Sequence, residues 1–343
     1  MDGRSNAVSG GGAKFTLTVS ATSGAQVTAS KGDKVVSGTS TNGEAVLILP
    51  EAGEWTVSGT LNGQASGSVV VEVVGDYTAA LTFVGSLNDT SWEEISEIST
   101  AGTAQNYWSV GDRKQVTLNG TVGALSLSNF STYAFIIGFN HNSSREGTGR
   151  IHFQLAQTAL SGGTDICFTD SNYNLTGNST GFRMNTSNTN SGGWEDSYMR
   201  NSICGTSKSS TSGRFMGAIP SALRNVLKSV TKYTDNTGNA STSSSAVTAT
   251  TDYIFLLSEY EVSGSSSTAN GNEASRQQQY AYYSAGNSKV KYRHTSTSST
   301  ARWWLRSAYR GSSTGFAIVN PYGNIGGSYS ASYSLGVAPG FCV

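Results

Sequence analysis

RWWLRSAYRGSSTGFAIVNPYGNIGGSYSASYSLGVAPGFCV closes the chain as residues 302–343. It opens on a bulky signature, Trp303, Trp304, Leu305 and Arg306, and ends on an apolar one, Gly336, Val337, Ala338, Pro339, Gly340 and Phe341. Between them lie Tyr, Ser, Asn, Gly and Thr with almost no charge. Two core-like stretches therefore bracket a stretch with the composition of a binding loop. In the strand period, Phe316 and Ile318 point one way and their polar neighbours the other. The reading is a closing β-hairpin with a buried face and an exposed one.

Composition bounds the rest. The 343 residues carry only 13% charged side chains, against about a quarter in ordinary soluble domains. Gly is abundant at 41 and Pro scarce at 4, which suits a β-rich, loop-rich surface protein. A formal net charge of zero and the lack of a basic run argue against nucleic acid as a partner. No run of about 18 apolar residues exists, so no membrane insertion is expected. The first residues lack an apolar core, so no Sec signal peptide is expected, and release by lysis within a phage particle is one way out of the cell. Cys167, Cys204 and Cys342 are odd in number, widely spaced and without a CxxC, so they read as small buried thiols.

Residues 1–12 read as a flexible leader. From Lys14 short alternating segments follow, with Phe15, Leu17 and Val19 on one face, and Asn42-Gly43 and Asn62-Gly63 supply hairpin turns. Residues 13–84 are therefore a small β-sandwich, a spacer or anchor. Residues 85–343 start with a helix bearing Trp92, Ile95 and Ile98, capped by Asp89 or Ser91 with Glu93 and Glu94 in its first turn. Strands around Phe135, Ile136 and Ile137 come next, then a helix around Trp194, Tyr198 and Met199. A second helix spans residues 216–234, with Pro220 at its start and a stripe of Leu223, Val226, Leu227 and Val230. A strand over residues 252–262 and long loops at 235–251 and 262–276 precede the hairpin. This order gives an α+β fold for the second part.

Side chains able to do chemistry are sparse. His141, His152 and His294 have no metal-ligand spacing. His141 lies close to Glu146 and could act as a base, but reads more simply as a hydrogen-bonded loop residue. Glu259 and Glu261 stand two apart at the end of the 252–262 strand, on one face and too crowded for an acid–nucleophile pair. The simpler reading buries one and solvates the other. Glu195 and Asp196 fit a helix start better than a calcium site. No catalytic residue, metal ligand or cofactor site is assigned.

The segment 308–334 is the candidate binding surface. Tyr309, Tyr322, Tyr329 and Tyr333, with Arg310, Ser312, Ser313, Thr314, Asn320 and Asn324, form a paratope-like set, since Tyr gives large contact area at low entropy cost. Trp303, Trp304, Arg306, Phe316, Ile318 and Phe341 are the scaffold beneath. Composition alone leaves a second reading open, a turn-rich hairpin with ordinary surface Tyr.

Two resemblances sharpen these expectations. NGEAVLILPEAGEWTVSGTLNG resembles the Ig-like, carboxypeptidase-regulatory type of sandwich. SWEEISEISTAG, NYWSVGD, IIGFNHN, GGWEDSYMR, DYIFLLSEYEV, YAYYSAGN, WWLRS and GVAPGF resemble, in order, a C-type lectin-like, formylglycine-generating-enzyme-like family of gut phage and bacterial proteins. Many of its members are variable proteins of diversity-generating retroelements. The resemblance implies a C-type lectin-like head with mixed and antiparallel strands, a few helices and long loops. In it, Trp303 to Arg306 and Val337 to Phe341 are paired core strands, and 308–334 is diversified. Adenine-directed mutagenesis of such codons cannot yield Lys, Gln, Glu, Met or Trp, and residues 308–334 contain none of them. The family's calcium motif has its nearest match at Asn320-Pro321 without the acid, and no reactive cysteine pair is present, so neither calcium nor catalysis carries over. The function implied is a non-enzymatic receptor-binding or adhesion protein on the virion surface, or alternatively on the bacterial cell surface. Its partners would be a bacterial cell-surface protein or glycan, other virion proteins through the N-terminal part, and further copies of the chain. The alternative is a structural decoration protein of the capsid or tail whose hairpin only packs against neighbours.

Overall fold

The computed structural model describes residues 14–169 and 181–343; the expected leader lies outside them. The chain divides into two compact units, residues 1–86 and 87–343.

The first unit is built from β1 (Phe15–Ser20), β2 (Gln26–Lys31), β3 (Lys34–Thr39), β4 (Glu44–Leu49), β5 (Gly53–Leu61), β6 (Gln64–Ala65), β7 (Val69–Val73) and β8 (Tyr77–Ala80). One sheet runs β4-β1-β8; the other runs β3-β2-β5, with β6 and β7 also paired to β5. Strand alternation decides which side chains meet. In β4, Ala45, Leu47 and Leu49 are buried while Glu44, Val46 and Ile48 face out. The buried set joins Leu17, Val19, Trp55, Val57 and Val71 in one cluster drawn from both sheets. Asn42, Gly43, Asn62 and Gly63 all have positive φ, the backbone that two-residue hairpin turns require.

The second unit begins with α1 (Trp92–Thr100), whose cap is Ser91: its hydroxyl accepts the Glu94 N–H at 3.1 Å. Trp92 and Ile95 are buried, and the Trp92 ring meets Phe153 and Phe341 of the sheet formed next. That sheet contains β9 (Arg113–Val122), β10 (Leu125–Phe139) and β11 (Ile151–Gln157), with α2 (Ser143–Glu146) between the last two. After β12 (Ile166–Cys167) come a wide-turned π-helix (Met199–Cys204), α3 (Phe215–Ala218), α4 (Ser221–Val226), β13 (Val230–Asp235), β14 (Val247–Asp252) and β15 (Ile254–Phe255). Then follow α5 (Glu259–Ser263), α6 (Ala281–Ser284), β16 (Lys291–Arg293), β17 (Ser296–Ala301), β18 (Trp303–Ala308), β19 (Gly315–Val319), β20 (Ile325–Ser330) and β21 (Gly340–Cys342). The largest sheet of this unit runs β15-β21-β11-β10-β9, placing the C-terminal strand between β11 and β15.

The expected α+β class does not hold. Among the described residues strand accounts for 41% and helix for 16%, and the helices are short, so the fold is β-rich. The cause is visible at residues 216–234. Helix α4 stops at Val226, and Val230, Thr231 and Thr234, β-branched and poor in helices, form β13 instead. Its partner β14 lies inside the segment expected as loop. Residues 252–262 are only briefly strand; Ser258 then caps α5 through a full capping box with Glu261. The two signatures of the closing segment do not pair as expected either. Strand β18 pairs with β19, and only Gly336 of the GVAPGF stretch bridges Trp303, while Phe341 belongs to β21 in the other sheet.

Candidate functional site

The closing segment is a three-stranded antiparallel sheet, β18-β19-β20, with Trp303 opposite Val319, Trp304 opposite Ile318 and Phe316 opposite Tyr329. Every residue of β18 and β19 is buried. Alternation therefore does not expose one face of β19: Ala317 and Val319 are as buried as Phe316 and Ile318. Trp303, Leu305, Ala317 and Val319 share a cluster with Phe135, Tyr280 and Tyr283. Trp304 points elsewhere and donates its indole N–H to the Phe182 carbonyl at 2.8 Å, while Trp303 donates its indole N–H to the Lys289 carbonyl at 3.0 Å. Gly336 leaves no room for a Cβ, which would collide with the Cys167 sulfur.

Two turns carry the exposed side chains. In the first, residues 309–314, Arg310 and Ser313 are exposed and Tyr309, Ser312 and Thr314 are half-buried. In the second, residues 320–324, Tyr322 is 84% exposed and Asn324 is exposed. Asn320 is half-buried, and its side-chain oxygen accepts the N–H groups of Tyr322 at 2.9 Å and Asn324 at 3.1 Å. It closes the turn. Gly323 completes it at φ +82°. The turns lie at opposite ends of the five-residue β19, about 16 Å apart at strand rise. Tyr329 and Tyr333 are half-buried, edge-on at 6.3 Å, with the Arg302 guanidinium 5.1 Å from the Tyr329 ring. The ten expected contact residues thus do not share one exposed face: four are exposed and six are half-buried.

Beneath the hairpin lies a buried polar centre. Arg306 is fully buried and donates to the Thr234 hydroxyl at 2.8 Å, the Leu256 carbonyl at 2.8 Å and the Glu261 carboxylate at 2.9 Å. Lys232 donates to Glu146 at 2.7 Å, Glu261 at 3.0 Å and the Tyr280 hydroxyl at 2.8 Å. His141 stacks on Tyr280 at 3.7 Å, and His152 Nδ1 lies 3.1 Å from the same hydroxyl. Burial opposes ionisation of Glu261, but Arg306 and Lys232 override it and hold its carboxyl well below the usual range. Burial pushes Glu146 up to about 7, against the pull of Lys232. Burial also pushes Glu273 up to about 7, and pushes His141 down to about 3 with the help of Lys232.

His141, Glu146 and Glu261 bring ligand atoms within 4.8 Å of one another. The Lys232 ammonium, bonded to both carboxylates, already occupies the place a cation would take. Glu259 and Glu261 are both fully buried, so the expectation that one is solvated does not hold. Two surface cavities, of about 260 and 490 Å³, are lined around Phe182 and Tyr198 and around Glu97 and Val226, and share no residue with this centre. The polar centre has the geometry of a structural knot.

A family model described as a domain of unknown function, DUF6273, matches residues 170–343, just over half of the chain. The chain belongs to the DUF6273 family. No curated protein and no solved structure matches it.

The DUF6273 match holds the whole hairpin together with Lys232, Glu261, Tyr280 and Arg306. Glu146, His141 and His152 precede it, so the polar centre joins the matched region to the strands before it. Two residues that composition did not single out lie inside the match. Asn190 sits in a Ser/Asn/Thr-rich stretch with no distinguishing spacing, and Lys232 falls in the segment whose apolar spacing suggested a helix.

Proposed function

We propose that this chain is a non-enzymatic binding protein of a phage or prophage particle, carried on the virion surface or alternatively displayed on the bacterial cell surface. It holds a bacterial cell-surface protein or glycan through the 308–334 hairpin. One observation carries the reading: Arg310 and Ser313 are exposed on a turn between the wholly buried strands β18 and β19, and Tyr322 and Asn324 are exposed on the turn that leaves β19 for the half-buried Ile325 of β20. Changing such side chains leaves the core untouched, which is what a surface with exchangeable contacts requires. The lack of Lys, Gln, Glu, Met and Trp across 308–334 agrees with diversification of that segment. The half-burial of Tyr329 and Tyr333 narrows the contact set to the two turns and the edge strand β20.

The test is retention of the labelled full chain on whole cells of a panel of bacterial strains. Retention on some strains, lost in Arg310→Ala/Tyr322→Ala with an unchanged melting temperature, supports the reading. Retention on none, or retention indifferent to those substitutions, leaves the decoration role in its place.

A further inference from the structure

The 309–314 turn is gripped from below by a residue far away in sequence. Asn190 is fully buried. Its side-chain amide shares two protons among the carbonyls of Ser312 at 2.8 Å, Gly315 at 2.8 Å and, more distantly, Tyr309 at 3.3 Å. Its own N–H donates to the Ser313 carbonyl at 2.8 Å. All four acceptors are main-chain oxygens. Asn190 is itself fixed, because its side-chain oxygen accepts the Asn239 N–H at 2.8 Å. Gly238, at φ +63°, lies against the Asn190 carbonyl, where a Cβ would collide. The Asp235 carboxylate holds that segment through the N–H groups of Thr237 and Gly238, both at 2.9 Å.

A second buried group does the same beside it. Glu259 accepts the N–H groups of Ser267 at 3.0 Å, Thr268 at 3.0 Å and Ala269 at 2.6 Å, and the Ser267 hydroxyl at 2.7 Å. This fixes the serine loop that leaves α5, in which Gly264, Ser265 and Ser267 are exposed. The Thr268 carbonyl in turn accepts the Arg310 N–H at 3.1 Å, tying the serine loop to the turn.

We infer that Asn190 and Glu259 are positioning residues that pre-order one composite contact surface, made of the 309–314 turn and the serine loop at 264–267. The inference rests on the binding reading of the hairpin and adds two things to it. The surface extends beyond the hairpin to a loop outside 308–334, and its ordering does not depend on the side chains displayed. The grip of Asn190 uses only carbonyls of the turn, so Arg310 and Ser313 can change identity without loosening it. A turn ordered before contact loses little entropy when a ligand arrives, so the gain falls on residence time.

Hydrogen exchange of the full chain, read by mass spectrometry over segments 264–270 and 308–316, tests this without any ligand. In the wild type the turn amides should be protected like those of β19; exchange at the rate of an unstructured peptide overturns the inference. Asn190→Asp and the smaller Asn190→Ser should each speed exchange in 308–316 by about tenfold or more, a loss of one or two net hydrogen bonds, with β19 still protected. Glu259→Gln should do the same over 264–270. A folded Asn190 variant with unchanged exchange in the turn overturns the inference, since the turn would then be held by its own bonds. Arg310→Ala/Ser313→Ala should leave turn exchange unchanged; faster exchange there also overturns it. On a strain that retains the wild type, Asn190→Ser should dissociate about tenfold faster. A loosened turn with unchanged dissociation would keep the positioning role and reject the turn as the contact surface.

Discussion

Arg306 and Glu261 meet as a two-pronged pair in the fully buried centre of the second unit, Nη2 lying 2.9 Å from Oε1 while Nη1 bonds Oε2. The pair joins β18, which carries the hairpin, to α5, which carries the serine loop. Glu261 also completes the capping box of α5, its carboxylate accepting the Ser258 N–H at 3.0 Å. One carboxylate therefore orients two elements of the candidate surface.

Breaking that pair on one side should be severe. Arg306→Met leaves Lys232 to neutralise both Glu146 and Glu261 and removes the donors from the Thr234 hydroxyl and the Leu256 carbonyl. The expected loss is about 3–5 kcal/mol, the usual cost of stranding one partner of a buried ion pair. Urea denaturation measures it. A loss below about 1 kcal/mol would mean that the centre tolerates an unmatched carboxylate and does not anchor the fold.

The pH profile follows from opposed shifts. His141 has a pKa pushed down to about 3 by burial and Lys232, from an ordinary 6.5. Its contribution is whole above about pH 6.5 and is lost as pH falls toward 3. Glu273 has a pKa raised by burial to about 7, from 4.5, and Glu146 shifts the same way. Their contribution is whole below about pH 4.5 and is lost as pH rises to 7. Burial holds His152 well below its ordinary value as well, so two histidines oppose the two acids and flatten the profile between about pH 4.5 and 6.5. Below about pH 4.5 the depressed Glu261 takes stability away as it protonates. His141→Gln removes one opposing group, so the variant should gain stability, relative to its value at neutral pH, on going to about pH 5. Identical profiles for variant and wild type would show that His141 takes up its proton equally in the folded and unfolded chain, against the burial argument.

The ammonium of Lys232 makes a prediction about metals. Because it already bridges Glu146 and Glu261, a chelator should leave the melting temperature unchanged, and added zinc or calcium should not raise it. A melting temperature that falls in EDTA would mean that a cation displaces Lys232 in solution.

How much of this was legible in the sequence varies with the physics of each part. The sandwich strands and their Asn-Gly turns were, because alternation and positive φ are local properties. The cap of α1 narrows to Asp89 or Ser91 for the same reason, and Ser91 takes it, three residues from the N–H it accepts. The expected helix over 216–234 is too long, since Leu223 and Leu227 have helical spacing but the β-branched residues after them pair with β14, Val230 facing Asp252 and Thr234 facing Thr248. Trp303, Trp304, Phe316, Ile318 and Phe341 read as buried from their apolar character and are; the burial of Arg306 does not follow from its type, because it depends on Glu261, 45 residues away. The partner of β18 was misread, because one-dimensional patterning says which residues are apolar and not which strand they face. Asn190 was invisible for the same reason: its role is defined by carbonyls more than a hundred residues away.

Two aromatic residues in the closing segment should separate folding from binding. Tyr322 is 84% exposed on a turn closed by Asn320, and its own side chain is not what closes that turn. Tyr322→Ala should therefore change stability by no more than about 0.5 kcal/mol. If it is a contact residue, the same substitution should weaken retention on cells by about 2 kcal/mol or more, the usual scale of an aromatic hot spot. Trp304 is fully buried, and its indole donates to the Phe182 carbonyl, which also takes the Leu335 N–H at 2.9 Å. Trp304→Ala opens a cavity at that crossing and should cost roughly 3–5 kcal/mol of folding free energy. Melting temperature and cell retention, measured side by side for both variants, make the comparison. If Tyr322→Ala unfolds the chain, the turn is part of the core; if it folds and is retained as well as the wild type, the second turn is outside the contact surface and the first turn with its serine loop remains as the site.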